Sequence, residues 1–155
     1  MRGIFRKLAK IYDPLGFVSP ITMIAKLICR EVLDANLPWD AKLRRVQLEQ
    51  WQAWERSLPK KIEGLISIVK YQEPINEGEL HSFGDALTKW VGAAVYAVAG
   101  QPSGTTQQLV AAKSSLAKRN LSIPRLQLVA AHMATNLWEN VYSALSAEPQ
   151  PSKVA

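Results

Sequence analysis

The chain has 155 residues, enough for one domain with a real core or for one domain plus part of another. Its 48% hydrophobic and 21% charged residues exclude wholesale disorder, and it holds no run of 18 apolar residues that would read as a membrane span. The net charge of +6 is uneven: residues 1–61 carry twelve Lys/Arg against six Asp/Glu, whereas residues 62–155 carry seven of each.

That basic first part suits an anionic partner such as nucleic acid, and it equally suits a solvated helical face. Cys29 is the single cysteine, so an internal disulfide and a cysteine-based zinc cluster are both excluded. Its place in the apolar run ITMIAKLIC marks a buried thiol of a reducing compartment. The N-terminal MRGIFRKLAK is basic and amphipathic, which permits a transit peptide but lacks a secretory apolar core. A cytoplasmic or nuclear address is expected.

In YDPLGFVSP, Asp-Pro and Ser-Pro pairs bracket a glycine, which predicts a turn and then a helix with Ser19 as its cap and Pro20 in its first turn. Ile21, Ile24, Ala25, Ile28 and Val32 continue that helix at helical spacing, and Asn36-Leu37-Pro38 ends it. Asp40 is placed to cap a second helix. There Leu43, Val46, Trp51, Trp54 and Leu58 form an imperfect apolar stripe opposite Lys42, Arg44, Arg45, Glu49 and Glu55, and Pro59 closes it.

ISIVKY is short and β-branched and PINEGE is turn-like, so the boundary between residues 1–61 and 62–155 is drawn here. Three strands are predicted next, over Glu79 to Ala86, Trp90 to Ala99 and Thr105 to Lys113. The second has small and β-branched residues on both faces, as in a strand buried on both sides. The loop from Gly100 to Gly104 predicts a hairpin between the second and the third. Ser122 to Leu145 is the strongest helix signal, with Leu126, Ala130, Met133, Leu137, Val141 and Leu145 on one stripe and Pro124 tolerated in the first turn. The tail AEPQPSKVA is expected to fray. The fold class is therefore α+β: a helical region, then three antiparallel strands and a long helix, a layer with one sheet face covered and the other not.

Among polar residues, Asp85 ends the first strand, where it either starts a turn by bonding nearby backbone or serves as one ligand of a metal site. His81 has no Cys or His companion at ligand spacing and reads as a strand-face histidine, and His132 as half exposed on the long helix. Lys113, Lys118 and Arg119 cluster at the end of the third strand, where a nucleic-acid backbone could pass or a solvated loop could lie. The five tryptophans read mostly as packing residues, with base stacking by Trp90 as an alternative.

KIYDPLGFVSPITMIAKLI, LPWD, the Trp51/Trp54 helix, LHSFGDA, AAVYAV, LVAAKSSLAK and SIPRLQLVAA occur in the order that resembles the Pao retrotransposon peptidase family, over roughly residues 4 to 145. The resemblance implies a connection or thumb-like helical region next to the reverse transcriptase palm of a polyprotein, followed by a ribonuclease H-like domain. In that domain an Asp on the first strand and a Glu on the first helix begin a carboxylate cluster for two divalent metals, Mg in active relatives. Such ions sit about 3.5–4 Å apart and stabilise the attacking and leaving oxygens of phosphodiester hydrolysis.

Asp85 in FGDA matches the strand position. The helix position, Glu in the family's IPRLEL, is Gln127 here. A glutamine keeps a carbonyl acceptor but loses the charge, and the fold's remaining carboxylates belong to later elements beyond this chain, so Asp85 is a relic of an incomplete site. No bound cofactor is expected. The family's name also suggests an aspartic peptidase, but Asp85-Ala86-Leu87 lacks the hydroxyl and the glycine of such a loop.

The leading expectation is thus a catalytically inactive ribonuclease H-like polyprotein fragment with weak nucleic-acid binding, to an RNA:DNA hybrid or another nucleic acid. Its contacts would come from Arg2, Arg6, Lys7, Lys10, Lys42, Arg44 and Arg45, with Lys113, Lys118 and Arg119 beside them. The alternatives are a segment of a longer active polyprotein and a domesticated module whose unfinished sheet edge pairs with a partner. Asp85 is expected beside Gln127, on the central strand of the three.

Overall fold

The computed structural model describes residues 1–36, 38–59 and 77–147. The anticipated strand at ISIVKY, the first half of the turn-like PINEGE, the proposed boundary and nearly all of the C-terminal tail lie outside the described residues, while the second half of PINEGE, read as a turn, opens the first strand. Seven elements run in the order α1 (Arg2–Ala9), α2 (Ser19–Asp34), α3 (Arg45–Ser57), β1 (Glu77–Ala86), β2 (Trp90–Gln101), β3 (Gly104–Leu116) and α4 (Ile123–Ser146). The chain is α+β, with its first three helices together and a long helix closing the described part.

The first three helices share a core of Ile4, Ala25, Ile28, Cys29, Val32, Trp51 and Trp54. Trp51 and Trp54 pack with ring centroids 4.7 Å apart, and the Trp54 indole N–H donates to the Ile21 carbonyl at 2.9 Å. A buried indole without that acceptor would leave its donor unsatisfied, so the bond fixes how α3 lies on α2.

The starts of α2 and α3 differ from the sequence expectation. Ser19 is the first residue of α2 rather than its cap; Val18 holds the cap position and its own N–H is taken by Asp13 Oδ2 at 3.0 Å. Asp40 does not cap α3 but forms an ion pair with Arg2 at 3.0 Å, and α3 begins at Arg45, where the Gln47 side-chain oxygen accepts from the Arg44 N–H at 3.4 Å. Val46, expected on the apolar stripe, is exposed, because at 3.6 residues per turn its five-residue spacing puts it about 140° around the helix from Trp51.

The strands form one antiparallel sheet in the order β1-β2-β3, with a register irregularity at Val95/Tyr96. Side chains alternate across it. The α4 side takes Leu80, Ala86, Val91, Val95, Val110, Ala111 and Ala117, packed with Leu126, Ala130, Met133, Leu137, Trp138 and Val141. Leu145, expected on the same stripe, is exposed in the last turn of α4. On β2 only the face toward α4 is fully buried; Tyr96 on the other is exposed, so the strand is central without being covered on both sides.

The helical region docks on β3. Leu15 accepts from the Ala112 N–H at 2.7 Å, the Arg30 guanidinium donates to the Ala117 carbonyl at 2.8 Å, and Arg119 pairs with Asp34. Gly16 makes the approach possible: its φ is +77°, and a Cβ there would fall 1.7 Å from the Ala112 oxygen. The motif YDPLG is therefore a tight turn whose backbone is pressed against a strand.

Candidate functional site

The approach of α4 to the sheet builds the site. Gly84 lies under α4, where a Cβ would meet the Ala130 oxygen at 2.6 Å, so the glycine and the alanines Ala130 and Ala134 let the helix cross β1 at backbone contact. That crossing brings the first turns of α4 to the end of β1.

There the Gln127 side-chain nitrogen donates to Asp85 Oδ1 at 2.9 Å and to the Ala86 carbonyl at 3.2 Å. Both partners are acceptors, so the amide's orientation is fixed with its nitrogen inward. Asp85 Oδ1 also accepts from the Ala86 N–H at 2.8 Å. The Gln127 hydrogen bond, and after it the Ala86 N–H, hold the Asp85 carboxyl below its ordinary value although the group is exposed to solvent. The two residues are neighbours as expected, but Asp85 is on β1, an edge strand of the described sheet, and not on the central one, which is β2. Sequence order names the strands without giving their lateral order, and the β1-β2-β3 meander puts the first strand outside.

Asp85 and Gln127 do not fit a pair of divalent metals. Among the described residues no three His, Cys, Asp or Glu side chains converge, and the group presented to Asp85 is an N–H donor where a hard cation needs oxygen. His81 is exposed and lies 2.9 Å from Glu79 Oε2, and His132 is exposed with Asn136 3.1 Å away.

The anticipated nucleic-acid residues do not gather beside Asp85. Arg2 and Arg6 lie four residues apart on one face of α1, and Lys10 follows at its C-cap. Arg2, Lys7 and Arg45 are in ion pairs with Asp40, Glu55 and Glu49. Arg44 opens α3, Lys118 and Arg119 follow β3, and Arg119 is tied to Asp34. Of the set only Lys113 borders the groove of about 620 Å³ on the side of the sheet away from α4, which Asp85, Trp90, Leu87, Phe83, Met23 and Ile24 also line.

Two features of the site escaped the sequence. The Trp138 indole N–H donates to the Leu80 carbonyl at 3.1 Å, and nothing in a helical tryptophan announces a strand-edge acceptor. Gly84 was legible in principle, because a glycine inside a strand pattern marks a close backbone approach.

A three-stranded antiparallel meander crossed by a helix, with an acidic residue at the end of the first strand facing the helix's first turns, has the layout of a ribonuclease H-like layer. The family model described as Pao retrotransposon-like RNaseH-like domain matches residues 1–154, and the chain belongs to that family. Comparison with curated proteins and with solved structures finds no match. No helix among the described residues is long and apolar enough to cross a membrane.

Proposed function

We propose that this retroelement-derived, ribonuclease H-like chain binds nucleic acid through its basic helical region and does not itself cleave it. The observation that carries this reading is the Gln127 amide donating to Asp85 where the family pattern has a second carboxylate. One carboxylate paired to an amide cannot supply the converging oxygens that hold two dications, so no bound metal belongs to the proposal. Arg2 and Arg6 on α1 and Lys10 at its C-cap, with Arg44 at the N-cap of α3, supply cations that need no base readout to meet phosphates.

The 155-residue chain is incubated with an RNA:DNA hybrid in Mg²⁺ or Mn²⁺, and binding is followed by anisotropy across a salt series. The expected result is no hydrolysis, with affinity falling steeply with salt and weakened by Arg6→Ala with Arg44→Ala. Hydrolysis abolished by Asp85→Asn overturns the noncatalytic half; salt-insensitive binding, or binding indifferent to the arginine changes, overturns the other.

A further inference from the structure

The helical region and the sheet border a cavity of about 450 Å³ at the β3 edge, across the sheet from β1. One wall is the end of α1 with the YDPLG turn, another is the first two turns of α2, and the third is β3 with Leu137 of α4. The docking already described holds these walls together, because Gly16 and the Leu15–Ala112 bond press the turn onto the strand.

Two lysines reach this cavity from different elements. On α2, Ser19, Thr22 and Lys26 follow at i, i+3 and i+7, which puts Lys26 on the cavity side of the helix. Lys113 pairs across the ladder with Ala93, and the neighbours of Ala93 two residues away, Val91 and Val95, pack under α4. Alternation therefore sets Lys113 on the α4 side of β3, the side of Leu137. Lys26 is half-buried, and neither lysine has an ion pair or hydrogen-bond partner among the described residues. Arg2, Lys7, Arg45 and Arg119, by contrast, are all matched by carboxylates.

Ser114 completes the polar side. Its Oγ is buried and has no hydrogen-bond partner among the described residues. Buried polar groups are nearly always paired, so this hydroxyl implies a further acceptor. Its N–H turns out of the sheet, as does that of Ala112 two residues earlier, which Leu15 takes. A ligand at the strand edge thus meets Lys113 from one face of β3, Ser114 from the other, and the Ser114 N–H between them. Asp13 is the one carboxylate on the lining, and its Oδ2 already accepts from the Val18 N–H.

We propose that this cavity binds a nucleoside 5′-monophosphate unit, its phosphate among Lys26, Lys113 and Ser114 and its base against Leu8, Ile11 and Leu137. A phosphomonoester brings nearly two negative charges and three acceptor oxygens, which matches two unneutralised cations and nearby donors. Lysine meets phosphate as a point charge, whereas a planar carboxylate is held best by a guanidinium fork, which this lining lacks. The volume is that of a small-molecule site and exceeds what a bare phosphate fills. The apolar residues suit a flat base, and the second oxygen of Asp13 is left to accept from a sugar hydroxyl. None of Arg2, Arg6, Lys10 and Arg44 borders the cavity, so this site is separate from the strand-binding cations of α1 and α3. The same unit occurs as a free nucleotide and at the phosphorylated end of a strand.

The full chain is titrated calorimetrically with adenosine 5′-monophosphate, adenosine and inorganic phosphate at about pH 7.5, where the monoester is a dianion. Saturable binding of the monophosphate is expected with a Kd on the order of 10–100 μM, at least about tenfold tighter than either part alone. Lys26→Gln and Lys113→Gln should each weaken it about tenfold and Ser114→Ala about fivefold, with circular dichroism unchanged. Lys89→Gln removes the same charge away from the cavity and should leave binding as it is. Displacement by a 5′-phosphorylated strand but not by its 5′-hydroxyl counterpart assigns the site to strand ends; displacement by neither assigns it to the free nucleotide. No saturable binding below about 1 mM, either part binding as tightly as the whole, equal losses at Lys26→Gln and Lys89→Gln, or displacement by both strands alike each overturn the proposal.

Discussion

Gln127 and Asp85 are joined by a hydrogen bond of 2.9 Å, and the same amide nitrogen reaches the Ala86 carbonyl at 3.2 Å, so one neutral side chain ties the start of α4 to the end of β1. Gln127→Glu removes both donations and sets two carboxylates against each other. In the native chain Asp85 is held below its ordinary value, so its stabilisation is present above the unfolded carboxylate range and is lost as pH falls through the lowered value. In the variant one carboxyl of the pair is pushed upward, and its deficit therefore grows as pH rises through that raised value. Thermal melts should show the variant less stable than the native chain at pH 7, with the gap narrowing near about pH 4, where carboxyls take up protons. Equal melting temperatures at pH 7 would show that the amide does not hold the helix to the strand.

Glycine positions test the two close approaches. A Cβ on Gly84 meets the Ala130 oxygen at 2.6 Å and the Ala134 methyl at 3.1 Å, and relieving that overlap should cost about 1–3 kcal/mol. Gly16→Ala adds a left-handed backbone cost of about 1–2 kcal/mol to a sharper overlap with the Ala112 oxygen. Urea midpoints should fall for both, further for Gly16→Ala. A larger loss at Gly84 would contradict the docking of the YDPLG turn on β3.

The periodic elements were legible because burial has a period. The α4 stripe through Leu126, Ala130 and Val141 is buried, and β1 and β2 were placed within two residues at each end. β3 runs three residues past the expected Lys113 because Ala117 is drawn under α4 and its N–H is taken by the Lys89 carbonyl. Caps were less legible: Asp40 and Ser19 are good capping types, but each found a different role once the chain folded back, Asp40 on Arg2 and Ser19 inside the helix. The pairing of Asp85 with Gln127 came from a family pattern in the sequence. The edge position of Asp85 and the capping of Leu80 by Trp138 did not, because both depend on which element lies beside which.

Packing under α4 can be tested at two leucines two residues apart. Leu126 is 1% exposed among Ala86, Val91 and Ala117, whereas Leu128 is 71% exposed on the far side of the helix. Leu126→Ala should cost about 2–5 kcal/mol through lost transfer energy and the cavity left behind. Leu128→Ala should stay within about 0.5 kcal/mol. Comparable losses at the two sites, measured by urea denaturation, would mean that α4 is rotated about its axis from the orientation described.

Cys29 lies on α2 in the core shared with Trp51 and Trp54, and burial pushes its thiol up to about 11. Only the thiolate attacks disulfide and alkylating reagents, so both access and ionisation protect it in the folded chain. Labelling with an aromatic disulfide reagent at pH 8 should be slow without denaturant, and should accelerate in step with the unfolding measured by tryptophan fluorescence. The dependence on pH gives the second check: in the folded chain the rate should still be climbing above about pH 10, where an exposed thiol of ordinary pKa, about 8.5, has levelled off. Rapid labelling of the native chain at neutral pH would place Cys29 outside the helical core and detach α2 from the packing that holds it to α3.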